Sequence, residues 1–205
     1  MKKTNTFKLT MTAIFTAIVL VVQMVGSSIK VGPASFSLVL IPIVVGGMLI
    51  GPAGGAFLGF IFGLASIIGG LFGTDQFTAY LLYESGTFAA IFTVLLCITK
   101  ATAAGLISAL IYNALSNKHK YLGVILASAA APIVNTGIFV IGTLTILADP
   151  ISKNPKYVNE SSTLVYFIII LCAGLNFIVE FLVNIVLSPS IYNFVNHISK
   201  RKMKI

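Results

Sequence analysis

The chain has 205 residues, of which 58% are hydrophobic and only 9% charged, against roughly 25% charged in soluble domains. That balance excludes a water-soluble globule, and continuous apolar runs without strand-like alternation exclude a membrane β-barrel. The formal net charge of +8 is confined largely to the chain ends and one connection, which points to membrane topology and not to nucleic acid.

The pattern predicts an all-α, polytopic membrane protein of six transmembrane helices, forming one domain over residues 1–205. The first helix runs from about Leu9 to Val25. A cleavable signal has an apolar core of ~7–15 residues ending at a small-residue site. Val25-Gly26-Ser27 is a poor match, so the run reads as a retained span. It carries Ala13 and Ala17 beside Thr12 and Thr16. Small residues four apart make a flat stripe along which another helix can approach. The second helix, about Phe36–Ile50, is short for a span of about 20 residues. Gly51-Pro52-Ala53-Gly54-Gly55 lacks the Gly-Lys-Ser/Thr ending of a phosphate-binding loop and reads as a tight turn. In the third helix, about Ala53–Leu71, the Gly51, Gly55, Gly59, Gly63 register signals close packing, within the chain or with a partner.

The fourth helix, about Phe88–Leu115, carries Lys100 near its middle. Three placements fit: an ion pair with Glu180, a cavity where the ammonium binds a ligand carboxylate, or snorkelling to an interface. The fifth, about Tyr121–Leu147, holds Pro132 followed by Asn135-Thr136-Gly137. Proline frees the carbonyl of residue 128, and such an irregularity faces a polar cavity or a neighbouring helix. The sixth, about Leu164–Val195, is expected to leave the bilayer near Ser188-Pro189. Its Asn176, Glu180 and Asn184 recur every four residues and so lie on one side. A carboxylate at bilayer depth costs ~3 kcal/mol or more, so this row should face protein or a polar ligand.

Between the helices, Ser27–Pro33 and the pair Gly73–Gln76 and Tyr83–Gly86 are of a size either to cap a pocket or to serve as plain connectors. Lys30 and Tyr83 are candidate ligand contacts there. Cys97 and Cys172 fall inside apolar spans and read as small hydrophobes. His119 and His197 have no partner for metal or catalysis in the sequence pattern. No enzyme motif, metal set or cofactor site is expected. Nine Lys and Arg residues (2, 3, 8, 118, 120, 200, 201, 202, 204) fall on the side of the termini and three (30, 153, 156) on the other. This asymmetry predicts a multi-pass plasma-membrane protein with both termini cytoplasmic.

Several runs together resemble a known family. Ile29-Lys30-Val31-Gly32-Pro33, Leu38-Val39-Leu40-Ile41-Pro42 and Gly51-Pro52-x-x-Gly55-Ala56-Phe57-Leu58-Gly59 lie in the first half. Pro132-x-x-Asn135-Thr136-Gly137 and Asn176-Phe177-x-x-Glu180-x-x-x-Asn184-x-x-Leu187-Ser188-Pro189 lie in the second. The pattern is similar to the substrate-binding (S) components of energy-coupling factor vitamin transporters, over nearly the whole chain. The resemblance implies that Ala13 and Ala17 dock on a transmembrane coupling subunit joined to two ATPases. It also implies a vitamin pocket near the outer face, formed by helices four to six, and toppling of the subunit to release its cargo. The loop pattern is most similar to pantothenate-type members, with Lys100 meeting a carboxylate and Asn135, Asn176 and Asn184 the remaining polar groups. Folate, riboflavin and pyridoxine types share much of the pattern. Absence of tryptophan weighs against a thiamin type. A freestanding proton-coupled carrier using Glu180 is the competing class, although no inverted repeat is visible.

Overall fold

The computed structural model describes residues 2–202 except 28–29, 32–33, 36–37 and 160–161, with side chains described over 6–26, 38–159 and 162–200. The predicted contact through the Lys30 side chain, most of the first loop and Glu160 therefore lie outside the described residues. The helices are α1 (Lys2–Ser27), α2 (Leu40–Ile50), α3 (Pro52–Leu71), α4 (Gln76–Tyr83), α5 (Thr87–Leu115), α6 (Lys120–Thr145), α7 (Ala148–Ser152), α8 (Leu164–Tyr166) and α9 (Leu175–Lys202). A π-helical segment, Phe167–Gly174, joins α8 to α9. A two-residue antiparallel ladder pairs Lys30–Val31 with Ala34–Ser35 in the first loop.

Among the described residues, five helices are long and apolar enough to cross a membrane. The second predicted span is shorter than expected. At 11 residues, α2 reaches only ~16 Å, about half the ~30 Å hydrocarbon core. Ten of those residues are buried. A helix apolar on every side belongs in a core as readily as in lipid, and sequence apolarity does not separate the two. The last helix continues through Pro189 to Lys202, past the predicted end.

Glycine explains why α3 and α5 lie closest. A Cβ on Gly63 would come within 2.8 Å of the Cys97 carbonyl oxygen, and Gly59 and Gly55 would strike the carbonyls of Ala101 and Gly105. Three members of the predicted stripe therefore pack inside the chain, against α5. The fourth, Gly51, does another job. It turns α2 into α3 at φ 106° with nothing within 4 Å of a built Cβ, a conformation that glycine adopts without steric cost. A cluster around α2, including Leu40, Ile43, Val44 and Leu58, forms the larger core.

The start of α1, the α2–α3 corner, the α5–α6 junction and the end of α9 share one cleft. Both ends of the helical chain thus lie at the same end of the bundle. The other end carries α4, α7 and an aromatic cluster.

Gly59→Ala should cost about 1–3 kcal/mol, because the new methyl meets backbone that cannot rotate away. Gly137→Ala, with nothing within 4 Å, should be neutral or slightly stabilising. Thermal unfolding of the two variants in detergent checks the contrast.

Candidate functional site

Charged and amide groups inside an apolar bundle need a reason. In this fold they fall into two sets. The first lines a cavity of about 90 Å³ between α4, α5, α6 and the π-helical segment. α5 supplies Lys100, Cys97 and Thr93; α6 supplies Asn135, Thr136 and Phe139; Asn176 comes from the first turn of α9.

Lys100 is half-buried. Its ammonium lies over the Phe139 ring, 5.0 Å from the centroid, a cation–π contact that partly offsets lost hydration. It makes no salt bridge to Glu180; the pair seen among the described residues joins Lys153 and Asp149 at the surface. Of the three placements open to Lys100, the geometry is that of a cation facing a cavity. Asn135 is buried, and its Oδ1 has no hydrogen-bond partner among the described residues.

The second set lies deeper. Glu180 and Asn184 are 1% and 0% exposed and do not line the cavity. Asn184 Nδ2 donates to the Glu180 carbonyl oxygen at 2.8 Å, while Glu180 Oε2 and Asn184 Oδ1 find no partner among the described residues. With Ser188, Ile191 and Val195 they form the buried stripe of α9. The predicted polar row thus divides: Asn176 borders the cavity, and the two lower members pack within the protein. Their avoidance of lipid follows from the cost of an exposed carboxylate there.

The mouth is built by the connection between α3 and α5, where α4 forms in place of the expected loop. Asp75 caps α4, its carboxylate accepting from the Thr78 N–H at 3.2 Å and the Thr78 hydroxyl at 2.8 Å, a strong start for a helix of eight residues. Asp75 and Thr78 also line the cavity. Phe77 closes it from above and sits at the centre of the aromatic cluster, with ring centroids 5.6 Å from both Tyr157 and Phe167 and 6.2 Å from Phe139. Tyr80 ties α4 down by donating to the Pro150 carbonyl oxygen at 2.7 Å. Burial, with smaller contributions from Tyr80 and Glu84, pushes the Tyr157 phenol up to about 12. The Tyr157 hydroxyl therefore stays un-ionised at any physiological pH. Tyr83 is 65% exposed, its hydroxyl donates to the Leu71 carbonyl oxygen, and it lies outside the cavity.

Cys97 and Cys172 both line the site, although apolar spacing marked them as plain core. On α1, Phe15 and Val19 face inward, while Ala13 and Ala17 are exposed beside Ile14 and Val21. Chemically, the cavity offers one cation, amide groups, and a carboxylate at its rim. That set suits an anionic solute that also carries hydrogen-bond donors.

A family model described as "ECF transporter, substrate-specific component" matches residues 7–192. No curated protein matches the chain.

Proposed function

The chain belongs to the substrate-specific components of ECF transporters, and from that premise we propose that it captures a small anionic vitamin of the pantothenate type at the outer face. Partner subunits then drive uptake with ATP. The observation that carries the substrate class is Lys100, a half-buried ammonium facing the cavity with no ion pair among the described residues. A ligand carboxylate completes its coordination and replaces the hydration lost on burial. Asn135 and Asn176 serve the amide and hydroxyl groups of such a molecule. Asp75 at the rim accepts from hydroxyls at the opposite end of the ligand.

Glu180 and Asn184 act in this reading as interior supports of α9, not as direct ligand contacts. The basic residues around both chain ends favour cytoplasmic termini. That orientation puts the α4 cap on the outer side, where substrate arrives.

Exposure of Ala13 and Ala17 supports their use as the docking stripe for the transmembrane coupling subunit. Close helix approach in a bilayer depends on small residues, and the apolar neighbours Ile14 and Val21 flank the contact.

Lys100→Gln should keep the fold, because no ion pair to Lys100 is broken among the described residues, yet weaken pantothenate binding by about 2–5 kcal/mol. Equilibrium binding of labelled pantothenate to the purified parent and variant measures this; equal affinity sinks the assignment. Ala13→Leu with Ala17→Leu should leave that binding unchanged and abolish uptake by the assembled transporter in proteoliposomes. Uptake at the parental rate would remove α1 from the docking surface.

A further inference from the structure

A wide cleft opens at the end of the bundle remote from the proposed substrate cavity. It measures about 740 Å³ and lies between the start of α1, the α2–α3 corner, the α5–α6 junction and the end of α9. Its walls mix Phe7, Leu49 and Ile198 with Lys8, Asn113 and Lys120. We propose that this cleft binds the phosphate headgroup of an anionic phospholipid, such as phosphatidylglycerol, with the acyl chains lying against the adjoining apolar helix surface.

Three observations converge on it. Charge comes first. Among the described side chains, Lys8 and Lys120 line the cleft, Lys118 and Lys200 belong to the same connection and helix end, and no Asp or Glu lines it. The cleft therefore sits in a field of one sign. Depth comes second. Lys8 is followed directly by Leu9, 73% exposed, and Lys120 by Tyr121 and Leu122, 47% and 46% exposed. Each lysine thus marks the border where a lipid-facing helix surface begins, which is headgroup depth. A soluble phosphate ester gains nothing from that apolar border; a lipid does. Geometry comes third. Lys120 Nζ donates to Asn196 Oδ1 at 2.8 Å, so its ammonium is held at the cleft with two further donors to offer. The start of α3 adds the Ala53 amide as a donor on the same wall, since Pro52 carries no N–H.

The test is native mass spectrometry of the full-length protein released from detergent, titrated with phosphatidylglycerol or phosphatidylcholine. Phosphatidylglycerol adducts should survive activation that strips phosphatidylcholine. Lys8→Gln with Lys120→Gln should lower phosphatidylglycerol affinity by roughly 25-fold, about fivefold per lysine, while Lys153→Gln with Lys156→Gln at the opposite end changes nothing. Should the double variant fail to fold, Lys8→Gln alone, at an exposed position, should still lose about fivefold. Equal retention of the two lipids, or parental affinity in the Lys8→Gln variants, would overturn the proposal. So would displacement by glycerol 3-phosphate or a polyglutamate peptide at the lipid's own concentration, since the site would then recognise a soluble phosphate or an acidic protein segment.

Discussion

Direct backbone contact between α3 and α5, along Gly55, Gly59 and Gly63 on one side and Cys97, Ala101 and Gly105 on the other, sets the position of the elements that matter for function. Helices in a bilayer gain little from hydrophobic exclusion and cohere through close packing. With no side chains between these two backbones, α5 is locked in rotation and in register. α5 then presents Thr93, Cys97 and Lys100 to the cavity beside that contact. One turn of slippage would move the Lys100 ammonium away from Phe139 and the amide of Asn135. The rigidity of an apolar interface thus determines where a single cation stands.

Polar groups elsewhere obey the same economy. Burying an ammonium without a carboxylate is unfavourable, and it persists where a ligand supplies the missing charge or a function depends on it. Lys100 has Phe139 for partial compensation and open space ahead of it. Glu180 is treated differently, enclosed within the protein at 1% exposure. The lid over Lys100 is assembled from short-range pieces: Asp75 capping α4, Phe77 in the aromatic cluster, Tyr80 fastened to Pro150. None of these contacts requires a long span, so the cap can differ in stability from the bundle beneath it.

Periodicity and composition made most of the bundle legible. The glycine register foretold a close helix contact, and Lys100, Asn135 and Asn176 stood out because polar residues are rare in such spans. They prove to line one cavity. Spacing could not tell which residues of a polar row face a cavity and which face protein, since i, i+4, i+8 places Asn176, Glu180 and Asn184 on one side whatever that side meets. The division arises because the cavity meets α9 only at Asn176, whereas Glu180 and Asn184, one and two turns further on, are enclosed by protein. α4 was read as loop because eight residues carry too few turns for periodicity to register, although Asp75 three residues before Thr78 is a capping signal. The short α2 shows the converse: its apolarity matches a span, but its length belongs to a core helix. Tyr83 was chosen for its place in a loop, and it turns outward because Phe77 and Leu81 take the buried face of α4.

The account joins two ends of one molecule: a capped cavity organised by Lys100 and a basic end that keeps the helix termini at the membrane border. Its central claim is that Lys100 holds the carboxylate of a small aliphatic solute. The most direct measurement is identification, by mass spectrometry, of the small molecule that stays with the protein purified from cells supplied with a mixture of water-soluble vitamins. The account predicts one small, ring-free carboxylate per chain, lost from the Lys100→Gln protein. Recovery of a fused-ring or cationic vitamin in stoichiometric amount, retained by that variant, would contradict it.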